Sequence, residues 1–348
     1  TMAESLLPIQ AELEKKYGID NLSEQAADIL SNKKKMDDFC ISIGLEYLIP
    51  ESVIATSLED LNKFNNKAFI VKPVIGSGCK KSYDTDIAYC SYRNKNDFMD
   101  DTYSDLVFRI NQLGWPDPMF NNRINHYMFQ EHLHHDKFYA PYVYVNEYGD
   151  ISYLFYVVSN LVENPIDKYR FGSYPMDFMM VDENEIPSEC VSAIRMYYEA
   201  IVEELQLKNL FFAGPDFYYN KSMQTKVIDC NPRIGQGLQI LNEVHGNEYL
   251  PSILNNNIID LSVKFWWVHV QLKPGRIKEV KSFSHLSKYL LSTNPNINPG
   301  DVVKDFYYPN EDYAPKIGLK IPGKDKTDML NTYRSVSKQI LECIVYED

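Results

Sequence analysis

Apolar positions along this chain switch between two periods, and the switches mark its elements. Across residues 193–207, Ile194, Tyr198, Ile201, Val202 and Leu205 recur at helical spacing, which predicts one amphipathic helix. The opening is also helical: residues 8–16 and 23–43 are rich in helix formers, with Gly18 and Gly44 as stops. Residues 44–50 leave into a short extended piece, and Thr56-Ser57-Leu58-Glu59 spells a capping box for another helix. From residue 69 to 156 strands dominate, interrupted by an Asn/Asp-rich helical insertion near residues 96–125. Residues 299–322 are turn-rich and short-stranded, and a last amphipathic helix is predicted from about residue 326 to 345. There is no internal repeat. Helices mixed with mostly antiparallel strand pairs predict an α+β fold.

Four strand-like segments carry residues with chemistry. In Val227-Ile228-Asp229-Cys230-Asn231-Pro232-Arg233-Ile234-Gly235 an apolar pair runs into a carboxylate, a carboxamide and a guanidinium at alternate positions. An extended chain turns all three to one face, setting two hard oxygen ligands beside a fixed cation, as magnesium-bound phosphate requires. Asp216 lies on the preceding strand, with Asn220, Lys221 and Ser222 as the turn, so a hairpin would bring it to the same ions. An exposed hairpin with its polar residues outward accounts for the same pattern. Upstream, residues 68–74 form an apolar strand holding Lys72 that runs into Gly76-Ser77-Gly78-Cys79-Lys80-Lys81-Ser82. Such a loop can turn backbone N–H groups to phosphate oxygens. Residues 127–133 form another apolar strand, ending in polar residues suited to an adenine edge.

Composition narrows the class without naming a reaction. The 348 residues allow a sizeable core in one to three domains, and a net charge of −13 argues against non-specific nucleic-acid binding. No apolar run approaches the roughly 20 residues that span a bilayer, and the opening lacks a secretory layout. The six cysteines have no close metal-ligand spacing and read as reduced thiols of a cytoplasmic protein. Gly318-Leu319-Lys320-Ile321-Pro322-Gly323-Lys324-Asp325 nearly spells a P-loop, but Asp325 replaces the Ser/Thr that should hold magnesium and Pro322 disrupts the phosphate nest. No G-x-G-x-x-G occurs, so a dinucleotide Rossmann site is not supported. His132, His134 and His135 lack the cysteine or second histidine pair that would complete a zinc site.

Lysine strand, glycine loop, polar-ended strand and carboxylate hairpin, in this order over roughly residues 20–290, resemble the ATP-grasp superfamily, nearest its carboxylate–amine ligases. The resemblance implies an ATP-grasp fold of two α+β subdomains gripping ATP. Its parts would be an N-terminal helical segment (1–50), a small subdomain with the glycine loop (51–135), a large subdomain with the metal hairpin (136–290) and a small α/β extension (291–348). Family ligases of this type usually begin with a further α/β domain of about 100 residues. The short opening here reads as its remnant or substitute, and in a naturally short chain a homodimer mate or partner chain would complete the acceptor pocket.

Residue by residue, the likeness implies Lys33, eleven residues before Gly44, and Lys72 as the two phosphate-contacting lysines. For Lys33, beside Lys34 and Lys35, a solvated charge run is the competing reading. Gly76, Ser77 and Gly78 match the loop that closes over phosphates, although Cys79 stands where relatives often have another small residue. Gln130, Glu131, His132 and Leu133 match the adenine hinge, with Asp136 the nearest candidate for the ribose; the His134-His135 pair departs from the pattern. Asp216, Asp229 and Asn231 match the ligands of one or two Mg2+ ions, with Mn2+ as a substitute, and Arg233 the phosphate-facing arginine. Most relatives carry glutamate where Asp229 stands, which leaves the metal count open. The implied reaction joins a small-molecule carboxylate and an amine through an acyl phosphate, with no nucleic acid or membrane involved. A biotin-type carboxylation and a non-catalytic nucleotide-binding module are the alternatives.

Overall fold

The computed structural model describes residues 6–54, 62–64, 69–74, 90–92, 127–131, 133, 137–159, 177–214, 217–220, 223–245, 249–254, 261–270, 272–273, 275–291, 297–303 and 317–347. The capping box at Thr56 and the insertion near residues 96–125 lie outside them. The described residues fall into two compact units, one of residues 6–156 and 182–235, the other of residues 157–159, 177–181 and 236–347.

The first unit opens with three helices, α1 (Leu7–Tyr17), α2 (Glu24–Leu30) and α3 (Lys33–Ser42). Gly18 ends α1 at φ +69°, as its place in the sequence predicted. The expected continuous helix over residues 23–43 is instead two helices. Asn32 takes an extended conformation and its side chain accepts from the Lys35 amide at 3.0 Å, capping α3 as Ser23 caps α2. A local side-chain bond has outcompeted helix continuation there. The break places Lys33 at the first position of α3, where its amide donates to the Val74 carbonyl at 2.9 Å.

Strands β1 (Ser52–Ile54), β2 (Phe69–Pro73), β3 (Cys90–Tyr92) and β4 (Tyr127–Glu131) make a four-stranded antiparallel sheet in the order β1-β4-β2-β3. A second sheet contains β5 (Lys137–Val145) and β6 (Ile151–Ser159), with β9 (Phe217–Asn220) and β10 (Met223–Val227) in the order β10-β9-β5-β6; β8 (Leu210–Phe212) pairs with the far half of β5. Helix α4 (Ser188–Leu205) buries the predicted stripe, including Ile194, Tyr198, Ile201, Val202 and Leu205, and adds Tyr197. Its two tyrosines meet the strands edge-on. Tyr197 lies 5.6 Å from Phe217 and Tyr198 5.2 Å from Phe212, arrangements that aromatic quadrupoles favour.

The second unit contains β7 (Asp177–Val181), α5 (Gln236–Val244), α6 (Tyr249–Leu254), β11 (Lys264–Val270), β14 (Ile317–Gly323) and α7 (Lys326–Glu342), with strand order β7-β11-β14. All seven residues of β14 pair with β11, so the near-P-loop of residues 318–325 is a buried strand followed by a helix cap. Asp325, which a P-loop would not tolerate, caps α7 by accepting from the Asp328 amide at 2.9 Å. The last helix stops at Glu342, earlier than expected. Residues 344–346 form β15 (Ile344–Tyr346), paired with β12 (Gly275–Val280), which also holds β13 (Val302–Val303). Strand pairing has overridden the helical pattern at the end of the chain.

Candidate active site

All of the geometry that follows belongs to the first unit. The expected strand through Asp229, Asn231 and Arg233 is not formed: β10 ends at Val227 and residues 228–235 are irregular. The chain turns at Pro232, where the Arg233 amide donates to the Asn231 carbonyl at 2.8 Å, a three-residue turn. The same carbonyl accepts from the Ala213 amide at 2.9 Å. Side-chain alternation therefore does not gather the polar residues. The turn does, bringing Arg233 Nη2 within 3.5 Å of Asn231 Oδ1.

Two glycines let this segment lie against β5. Gly214 has φ +73°, and a Cβ there would come within 2.8 Å of Ala140 Cβ and 2.9 Å of the Pro141 carbonyl oxygen. At Gly235 a Cβ would sit 2.3 Å from that of Ala213. The close approach lets Asn231 Nδ2 donate to the Gly214 carbonyl at 2.7 Å, which fixes the amide and sets Oδ1 toward Arg233.

Asp229 and Lys33, 196 positions apart in sequence, are joined. Lys33 Nζ lies 3.2 Å from Asp229 Oδ1, the side chains being only 8% and 15% exposed. The Cys230 amide also donates to Oδ1, at 3.0 Å. The neighbouring lysines behave differently. Lys34 pairs with Asp38 and Lys35 with Asp28, each at 2.5 Å and toward solvent. The charge run is thus solvated at two positions and buried at the third.

Further residues carry the arrangement that residue types alone did not single out. Asp37, one turn after Lys33, is buried and accepts from Ser52 Oγ at 2.7 Å; Ser52 is the register partner of Gln130. The i,i+4 spacing of Lys33 and Asp37 was the available signal, but it marks ordinary surface pairs equally well. Lys33, Asp37 and Asp229 line one cavity of about 10 Å³, roughly the space of one water. Buried Tyr197 and Cys230 line it too, and buried Cys40 lies against Tyr197 and Asp37. Burial, with the charge of Asp37 adding, pushes the Cys40 thiol up to about 12, so it is no thiolate nucleophile.

Gln130 and Leu133 of the expected hinge are buried, and the Gln130 carboxamide makes no hydrogen bond among the described residues. The Glu131 amide donates to the Glu51 carbonyl at 2.8 Å. Lys226 Nζ donates to the Ile49 carbonyl at 3.1 Å; burial lowers its pKa, while the charge of Glu131 acts in the opposite direction. The Lys72 backbone lies in β2 opposite Met128. Gly76, Ser77, Gly78, His132, Asp136 and Asp216 lie outside the described residues.

The donors present suit a hard cation. Asp229 supplies a carboxylate, and the Asn231 side-chain oxygen is oriented by the hydrogen bond of its own Nδ2. No group of three His, Cys, Asp or Glu residues gathers among the described residues, and the expected third ligand, Asp216, falls outside them.

No family model matches the sequence, and no curated protein does. Solved structures do match in shape. The L-amino acid ligase from Bacillus licheniformis superposes with a TM-score of 0.69 at 14% identity, over 99% of this chain and 80% of that one. Carboxyaminoimidazole ribonucleotide synthase from Aspergillus clavatus, complexed with ATP, gives 0.57 at 10% identity over 94% and 78%. Biotin carboxylase from Campylobacter jejuni gives 0.55 at 12% identity over 98% and 73%. The chain has the α+β fold of ATP-grasp enzymes.

Proposed function

We propose that this protein is an ATP-dependent carboxylate–amine ligase working through an acyl phosphate. The observation that carries the reading is the enclosed Lys33–Asp229 pair beside Asn231 and Arg233, in a fold shared with an amino acid ligase. Lys33 is set apart from its lysine run by burial against Asp229, which supports its choice as the phosphate-contacting lysine. Lys33 and Lys72 offset charge on the phosphates, Gly76, Ser77 and Gly78 cover them, Gln130 to Leu133 hold adenine and Asp136 the ribose. Asp216, Asp229 and Asn231 would hold Mg2+, which when bound lowers the charge barrier to attack on phosphorus.

A carboxylate oxygen of the substrate attacks the γ-phosphorus, and the bond to the bridging oxygen breaks to release ADP. Lys33 and Lys72 act electrostatically, offsetting charge on the phosphates rather than making or breaking bonds. Arg233, oriented by Asn231, then holds the phosphoryl oxygens of the acyl phosphate while an amine attacks the acyl carbon and phosphate departs. The buried thiols Cys40 and Cys190, both pushed up to about 12 by burial, take no part.

Hydroxylamine tests the reaction class. An acyl phosphate is electrophilic enough for hydroxylamine to replace the amine, so the correct acid with Mg2+ and ATP yields a hydroxamate. Amino acids and short peptides are the first acids to screen. A second reading, carboxylation of a nitrogen with bicarbonate, draws support from the likeness to a carboxyaminoimidazole ribonucleotide synthase and a biotin carboxylase. ADP release that depends on bicarbonate alone, with no hydroxamate from any carboxylic acid, would favour it.

A further inference from the structure

We infer that Lys226 is a positioning residue of the proposed nucleotide site: from the strand that runs into Asp229, it pins the segment that holds the adenine hinge. This role rests on the proposed reading of residues 130–133 as that hinge, and no motif singled Lys226 out. Its Nζ donates to the Ile49 carbonyl at 3.1 Å. Two residues on, the Glu51 carbonyl accepts from the Glu131 amide at 2.8 Å, and Ser52 then pairs with Gln130. A short stretch of backbone therefore joins Lys226 to the hinge.

An irregularity in β10 aims the lysine there. Met223 pairs with Asn220, but Lys226 pairs with Tyr218 and Val227 with Phe217, so three steps along β10 are matched by two along β9. The extra residue makes a bulge. Regular pairing from the same turn would set Lys226 opposite Phe217, whose ring meets Tyr197 of α4 at 5.6 Å. The bulge gives that place to buried Val227 and turns Lys226 to the other face, where Ile49 lies.

The segment it holds is the rim of a sheet. β1 has three residues and stands at the end of the order β1-β4-β2-β3, and residues 49–51 precede it outside the ladder. So short a strand gains little from its own ladder. Ties to other elements set its place: Ser52 to Asp37 of α3 at 2.7 Å, and Ile49 to Lys226. Packing alone does not call for a lysine here. Burial disfavours the ammonium and lowers its pKa, with the charge of Glu131 acting the other way. A methionine would fill similar space without that cost, so what the lysine adds is a charged donor to Ile49 and attraction to Glu131.

Hydrogen exchange and calorimetry on the full chain test it, with MgADP as the probe. In Lys226→Met the Glu131 amide should exchange about tenfold faster or more, while the amides of α4 keep their wild-type rates. MgADP affinity should fall by about tenfold, the size of one hydrogen bond to a charged group, while magnesium pyrophosphate, which has no base to reach the hinge, stays within about twofold of wild type. Lys226→Arg keeps a charged donor and should return both exchange and affinity to within about threefold of wild type. Lys226→Gln takes the place of Lys226→Met if circular dichroism shows that variant unfolded. Unchanged exchange at Glu131 would overturn the tether. Faster exchange with MgADP affinity intact, or an equal loss for pyrophosphate, would overturn the positioning role. Wild-type protein that binds no MgADP at millimolar concentration would remove the nucleotide site itself, and the exchange result would still decide the tether.

Discussion

Replacing Gly214 by alanine probes the backbone approach that supports Asn231. A Cβ at this position would lie 2.8 Å from Ala140 Cβ and 2.9 Å from the Pro141 carbonyl oxygen, with φ at +73°. The left-handed conformation costs an L-residue roughly 1–2 kcal/mol. Crowding of a packed site adds about 1–3 kcal/mol, and the nearest oxygen is backbone, which cannot rotate away. Lower entropy of the unfolded chain returns about 0.4–1 kcal/mol. The expected net loss is about 1–5 kcal/mol, centred near 3, read from urea unfolding followed by circular dichroism. Gly149→Ala is the control: its φ is +87°, but the nearest atom, the Leu207 carbonyl oxygen, is 3.8 Å away, so only the conformational cost remains. Because the Gly214 carbonyl holds Asn231 Nδ2 at 2.7 Å, hydroxamate formation by the folded variant should also fall, by roughly tenfold or more. A Gly214→Ala loss no larger than that of Gly149→Ala, with turnover intact, would refute both the crowding and the link to Asn231.

Other consequences can be checked independently. Lys72→Ala and Arg233→Ala should each lower ADP formation by about a hundredfold or more with little change in melting temperature; near-normal turnover removes that residue from the site. MgATP should raise the melting temperature by binding only the folded protein, and an unchanged transition at saturating concentration would count against the nucleotide site. Glu183 accepts from Tyr156 at 2.7 Å and pairs with Arg195 at 2.8 Å, and these hold its carboxyl below the ordinary value of 4.5. Its folded pKa being depressed, its contribution is present above that value and is lost as pH falls through the folded pKa. The stability difference between wild type and Glu183→Gln should therefore shrink in acid; a pH-independent difference would contradict it. Cys40 and Cys190, buried with thiols pushed up to about 12, should resist iodoacetamide in the native protein while half-buried Cys343 reacts, as mass spectrometry would report.

Much of this protein is decided by local pattern. The apolar spacing from Ile194 to Leu205 suffices for α4, because a helix is specified by contacts three and four residues apart. Gly18 ends α1 for an equally local reason, its access to positive φ. The order of lysine strand, glycine loop, polar-ended strand and carboxylate hairpin was enough to indicate an ATP-grasp fold, which the superposed structures share. Periodicity could not choose among Lys33, Lys34 and Lys35, which are equivalent in composition. Burial against Asp229, 196 residues away, separates them, and no local rule spans that distance. The same limit applies at the chain's end, where pairing with β12 turns Ile344–Tyr346 from predicted helix into strand. It applies again at Asn231, whose neighbours converge through a turn at Pro232 and two glycines pressed on β5 rather than through strand alternation. Sequence alone determined which chemical groups were available and which local elements carry them. Tertiary structure decided which of those groups lose water and meet, because desolvation and long-range contact depend on the assembled unit.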